Sequence, residues 1–166
     1  LIVEGGKILA KSYWSLDYLE KWRDASPAEL EARLLEKLKE AVRIRLISEV
    51  PLGAFLSGGL DSSMVVALMS EIGGATPVKT FTIGFEDEDY SELRFARRVA
   101  DHLHTEHHEF IVKPEAMKIL PKLIWHYNEP FGDSSCIPTY YLAKLAREHV
   151  TVALNGDGGD ESFAGY

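Results

Sequence analysis

Two short stretches of this chain crowd together residue types that could do chemistry. The first is FLSGGLDSS, residues 55–63, where Ser57, Gly58, Gly59, Leu60, Asp61, Ser62 and Ser63 place hydroxyls and a carboxylate around two glycines. The second is NGDGGDE, residues 155–161, which holds Asn155, Gly156, Asp157, Asp160 and Glu161. Glycine lets a ligand approach the backbone closely. A helix starting near Asp61 would add free N–H groups and the positive end of its dipole. A pyrophosphate group satisfies such donors. Asp61 would repel it unless a cation lay between them, and Mg2+ shared by a carboxylate and phosphate oxygens is the natural arrangement. The plainer alternative is a strand–turn–helix corner with a capping Asp. For the second stretch the plainer alternative is a solvated acidic loop. However, Asp157, Asp160 and Glu161 repel one another at this spacing, and a metal or a cationic partner would relieve that. Neither GxGxxG nor GxxxxGK[ST] occurs, so this is not a Rossmann or Walker site.

The elements that must position these residues can be read from the hydrophobic pattern. LIVEGGKILAKSYW (1–14) reads as a β-hairpin turning at Gly5-Gly6, and residues 15–26 as a linker. Ser26-Pro27-Ala28-Glu29 supplies an N-cap, a Pro at the first helical position and a capping-box Glu. Leu30, Leu34, Leu38 and Val42 then give an amphipathic helix over 27–49. After it, strands at 52–56, 79–85, 107–112 and 150–155 alternate with helices at 61–72, 91–103, 114–127 and 138–148. The last two helices flank a loop, NEPFGDSSCI, that contains Cys136. This alternation implies an α/β fold, a twisted parallel sheet with flanking helices, preceded by a short hairpin. Ligands of such sheets sit beyond the carboxyl ends of the strands at a switch point. Both glycine-rich stretches follow strands, so they meet if the strands at 52–56 and 150–155 are neighbours.

Composition narrows the class. The chain has 166 residues, 46% of them hydrophobic and 27% charged, enough for one domain with its own core. A net charge of -8 argues against a nucleic-acid partner. The single cysteine excludes an internal disulfide and suits a reducing cytoplasm. No apolar run is long enough to span a membrane. The chain lacks an initiating Met, and both ends look cut, so a piece of a longer protein is expected. His102, His104, His107 and His108 invite a metal site. Adjacent strand residues point to opposite faces, though, so His107 and His108 cannot chelate together.

SGGLDSS resembles the PP-loop of ATP pyrophosphatases, enzymes that split ATP between the α and β phosphates. With YWSLDY, TFTIGFEDEDYSELRFARRVADHLHTEHHEF and NEPFGDSSCIPTYYLAKLAREHVTVALNGDGGDESFAGY, nearly the whole chain resembles glutamine-dependent asparagine synthetase. The resemblance implies a PP-loop ATP pyrophosphatase fold. It implies that residues 1–26 end a glutaminase domain and that 27–166 begin the synthetase domain. It also implies ATP-dependent amidation of aspartate through β-aspartyl-AMP, with ammonia coming from glutamine.

Carried over by position, Ser57 through Ser63 hold pyrophosphate, and Asp61 and Asp160 bind Mg2+. Leu56 and Ile83 contact adenosine, and Asn155 and Gly156 contact the adenylate. Asp157 serves the acyl-adenylate and the incoming ammonia, which makes Asp157 and Asp160 the catalytic pair. Asn155 departs from the family's Ser, and Ser162 stands where Leu is common. The family also uses a lysine downstream of this chain. The expected partners are ATP, aspartate and a glutaminase domain, with a homodimer left open and no nucleic acid or membrane. The alternatives are a β-lactam-synthetase-like or other PP-loop amidotransferase acting on another carboxylate, and a degenerate nucleotide-binding module.

Overall fold

The computed structural model describes residues 1–17, 19, 21–85, 91–113 and 115–165. They form two compact units, residues 1–35 and 36–166.

The first unit opens with antiparallel strands β1 (Ile2–Glu4) and β2 (Lys7–Leu9). Gly5 and Gly6 turn between them at φ 55 and 75, values that glycine adopts without strain. Helix α1 (Pro27–Arg45) starts as the capping residues dictate, with Ser26 Oγ accepting the Glu29 N–H at 3.3 Å. The expected capping box is only half closed. The Glu29 carboxylate instead pairs with Arg33 one turn on, at 2.6 Å, and Arg33 also lies over the ring of Trp22.

The second unit is built on a four-stranded parallel sheet. Its strands are β3 (Leu52–Phe55), β4 (Lys79–Phe85), β5 (Glu106–Val112) and β6 (Val152–Leu154), in the order β5-β4-β3-β6. Between them run α2 (Leu60–Gly73), α3 (Leu93–Leu103), α4 (Ala116–Tyr127) and α5 (Cys136–Ala146), and α6 (Gly159–Phe163) follows β6. The chain steps outward from β3 to β5 and then returns to the far side of β3. Right-handed crossovers therefore put α2 and α3 on one face and α5 on the other. The core divides accordingly. Val42, Ala54, Leu56, Val66, Leu68, Met69, Ala96 and Ala100 pack as one cluster, and Phe81, Ala146 and Val150 pack with Phe55, Phe110 and Leu142 as another.

Several element ends differ from expectation, each for a local reason. Helix α1 stops at Arg45 rather than 49, because Ser48 Oγ bonds both the N–H and the C=O of Val50. Pro51 also disfavours helix at the residue before it. Cys136 is not a loop residue; it is buried and opens α5 two positions early. Asp133 Oδ1 accepts the Ser135 N–H at 2.8 Å there, and the Asp133 carbonyl accepts the Cys136 N–H, so the first turn winds ahead of Ile137. Hydrogen bonds from Ser135, its backbone N–H first, hold the Asp133 carboxyl below its usual range. The acidic stretch at 155–161 is not all loop, since Gly159 begins the one-turn helix α6. The expected helix start at 114 lies outside the described residues. Among the described residues, no helix is long and apolar enough to cross a membrane.

Candidate functional site

Strands β3 and β6 are neighbours, paired Leu52 to Val152 and Ala54 to Leu154. The strand order reverses between them, so the crevice beyond their carboxyl ends is a topological switch point. Both glycine-rich stretches open there. The second lies directly on the first. A Cβ on Gly156 would stand 2.7 Å from Ser62 N, and one on Gly159 would stand 2.5 Å from Asp61 Oδ1. Only residues without side chains allow this approach.

The 57–63 segment turns at Gly58, with φ +83, and α2 starts at Leu60. Asp61 sits in the first helical turn rather than at the cap, which is Gly59, without a side-chain bond. The serines satisfy one another. Ser57 Oγ and Ser62 Oγ are 2.9 Å apart, Ser62 Oγ accepts the Ser57 N–H at 3.3 Å, and Ser57 Oγ accepts the Gly59 N–H at 3.1 Å. Ser63 Oγ is buried with no hydrogen-bond partner among the described residues.

Gly58 is required by the packing of the loop itself, whatever binds beside it. A Cβ there would meet the backbone of α3, 2.5 Å from the Phe95 carbonyl carbon and 2.6 Å from Ala96 N. A Cβ on Gly59 would meet only Ser57 Oγ, at 3.2 Å.

The other expected residues are distributed as follows. Leu56 is buried in the core, and its N–H bonds the Phe81 carbonyl at 3.0 Å, so its side chain faces protein. Ile83 lies two residues past the last β3–β4 pair, Phe55 to Phe81, and pairs with Phe110 of β5. Asn155 and Asp157 bond each other, Asn155 Nδ2 to Asp157 Oδ2 at 2.7 Å. The Asp160 carboxylate turns to the backbone of Gly165, whereas that of Asp61 lies on Gly159. Among the described residues, no cluster of three or more His, Cys, Asp or Glu side chains could hold a metal. Hard carboxylate oxygens at this rim therefore suit Mg2+ only as an ion completed by phosphate and water, its usual habit.

Two features escaped the sequence reading. The Thr82 hydroxyl, buried on β4, donates to the carbonyl of Leu56, the residue that leads into the loop. In the sequence, a Thr in a strand reads only as β propensity. A cleft of about 690 Å³ also opens beside Gly58 and Ser63, between α2 and α3, where Phe95, Arg98, Val99 and His102 line it. Their i, i+3, i+4, i+7 spacing was the available signal.

The histidines divide between the two sheet faces. His107 Nδ1 bonds Thr80 Oγ1 at 2.8 Å, and its Nε2 lies 3.5 Å from a Glu109 that Arg97 clamps with two bonds. His108 stacks on Phe81 and His149 on the other face. Burial pushes the His107 pKa down despite Glu109, whose own carboxyl Arg97 holds below its usual range.

Comparison with known proteins gives a consistent picture. Residues 33–166 match the family described as Asparagine synthase. The chain is 45% identical over 93% of its length to "Putative asparagine synthetase [glutamine-hydrolyzing] 2" of Methanocaldococcus jannaschii. It is 38% identical over 97% to "Asparagine synthetase [glutamine-hydrolyzing] 1" of Bacillus subtilis. It spans 30% and 25% of the length of those two relatives. Among solved structures, it resembles the NH3-dependent NAD synthetase from Campylobacter jejuni with a TM-score of 0.52 and 20% identity. That likeness covers 81% of this chain and 60% of the other, and it concerns the fold.

Proposed function

Because the chain belongs to the asparagine synthase family, we propose that the full-length protein converts aspartate to asparagine with ATP. The aspartate β-carboxylate attacks the α-phosphorus of ATP and pyrophosphate leaves. Ammonia released from glutamine then attacks the acyl carbon of β-aspartyl-AMP, and AMP leaves. The observation that carries this reading is the contact of the two glycine-rich loops at the switch point, Gly156 on Ser62 and Gly159 on Asp61.

Each residue has a distinct task in this scheme. The carboxylate is a poor acylating group until it is joined to the adenylate. Charge then develops on the departing pyrophosphate, where preorganised donors act most strongly. Ser57, Ser62 and Ser63 and the N–H groups of the 57–63 loop supply those donors, and the Ser57–Ser62 bond opens to receive the anion. Asp61 and Asp160 would hold Mg2+. When bound, the ion offsets the repulsion between Asp61 and phosphate and stabilises the developing negative charge. Leu56, through its backbone, and Ile83 flank adenosine. Gly156 borders the adenylate, with Asn155 beside it bonded to Asp157, and Asp157 faces the acyl group and the ammonia.

The test uses the full-length protein, with pyrophosphate and asparagine assayed separately in ATP, Mg2+, aspartate and ammonium. Aspartate-dependent pyrophosphate release is expected. Asp160→Asn should slow it roughly 100-fold, the order of loss when one stabiliser of developing charge is removed. A wild-type protein that releases no pyrophosphate in response to aspartate refutes the reading.

A further inference from the structure

Asn155 puts an amide where the resemblance places serine, and both ends of that amide are engaged. Its Nδ2 donates to Asp157 Oδ2 at 2.7 Å, and its Oδ1 accepts the Asp157 backbone N–H at 3.3 Å. One side chain thus holds both the backbone and the carboxylate of a single residue. Serine carries one oxygen and cannot reach the two groups from separate atoms.

Asp157 needs such a restraint. It is exposed, and Gly156 and Gly158 flank it, so its neighbours impose little on its backbone. Gly156 is pinned by its contact with Ser62, but a Cβ on Gly158 would meet nothing within 4 Å. No second side chain among the described residues bonds the Asp157 carboxylate.

We infer that Asn155 is a positioning residue, holding the Asp157 carboxylate in one orientation and acting on the reaction through Asp157 rather than by binding the nucleotide. This rests on the role given to Asp157 above.

The experiment compares Asn155→Ala, Asn155→Asp, Asp157→Ala and the Asn155→Ala/Asp157→Ala double variant in the full-length protein. Asn155→Ala should slow the same step that Asp157→Ala slows, by roughly fivefold, the worth of one exposed charge-assisted hydrogen bond. The KM for ATP should stay within about twofold of wild type, since an interaction made only with the reacting groups does not weaken ground-state binding. The double variant should be no slower than Asp157→Ala alone, because a residue acting only through another adds nothing once that other is gone.

Rapid-quench hydrogen exchange reads the clasp without any catalysis. Exchange at the Asp157 amide should quicken in Asn155→Ala, which loses the acceptor. It should stay protected in Asn155→Asp, which keeps an acceptor oxygen but replaces the Nδ2 donor with an oxygen that repels the Asp157 carboxylate, while that variant's rate falls at least as far as in Asn155→Ala. A roughly tenfold rise in ATP KM with both steps intact would show a direct nucleotide contact and overturn the inference. Additive losses in the double variant, or unchanged exchange in Asn155→Ala, would overturn it too. If wild type releases no pyrophosphate with aspartate, the functional reading fails and takes this inference with it. The exchange data then still tell whether the clasp itself exists.

Discussion

Replacing Gly58 with alanine separates a structural glycine from a ligand-facing one. Two independent costs meet at this position. Its φ of +83 lies where an L residue is strained by roughly 1–2 kcal/mol. Its Cβ would also stand 2.5 Å from the Phe95 carbonyl carbon and 2.6 Å from Ala96 N. Those are backbone atoms at the start of α3, so the helix itself must move, an overpacking cost of about 1–3 kcal/mol. Together the expected loss is about 2–5 kcal/mol, a large share of the ~5–15 kcal/mol that holds an ordinary domain folded. Gly59→Ala is the control. Its φ is -69, and its Cβ meets only the Ser57 hydroxyl, the end of a small side chain, so its stability cost should stay within about 1 kcal/mol. The assay is urea unfolding of the full-length protein read by hydrogen exchange in peptides from α2 and α3, because a global signal would mix domains. Pyrophosphate release is measured in parallel. Gly58→Ala should lower the α2–α3 midpoint, whereas Gly59→Ala should keep it and lose activity through its new methyl beside the phosphate. An unchanged midpoint in Gly58→Ala would refute the steric reasoning.

Two further outcomes follow from other contacts. Gly159→Ala should displace the Asp61 carboxylate, which a Cβ would meet at 2.5 Å. Because only the end of a side chain has to shift, the unfolding midpoint should hold within about 1 kcal/mol while the Mg2+ concentration for half-maximal pyrophosphate release rises. Unchanged Mg2+ dependence would remove Asp61 from that role. His107 gives a pH dependence. Burial lowers its folded pKa below the ordinary 6.5, so the unfolded chain takes up the proton first. The stability it supports is full above about pH 6.5 and is lost as pH falls toward the folded value. Thermal unfolding of wild type and His107→Gln across about pH 5 to 7 should show that acid-side loss in wild type alone; parallel profiles would refute it.

Much of the fold was legible because its signals are local. The 79–85 strand shows in the β-branched and aromatic run KTFTIGF, and β4 has those bounds. Helix α2 ends at the glycine pair that sequence marks as its stop, with Gly74 at φ 68. What was not legible depended on choices among partners. Glu29 could close the capping box or pair with Arg33, and the arginine won. Cys136 and Ile137 read as loop until Asp133 turns its carboxylate to the Ser135 N–H and starts α5 early.

The site divides along the same line, and its glycines show why. From sequence, a glycine tells that something must come close to the backbone, but not what. Gly58 reads as a place for phosphate, and α3 also comes close to its backbone. Gly156 and Gly159 read as parts of a flexible acidic loop, yet Ser62 and Asp61 come close to them. These neighbours lie nearly a hundred residues away along the chain and are brought together by the β3–β6 pairing, which no local pattern encodes. Close approach by these protein neighbours therefore already requires glycine at the three positions. Substitution at any of them should act by moving a neighbour: the start of α3 for Gly58, the first turn of α2 for Gly156 and the Asp61 carboxylate for Gly159. Of the two glycines in the first loop, Gly59 is the one whose Cβ would meet only a side-chain atom.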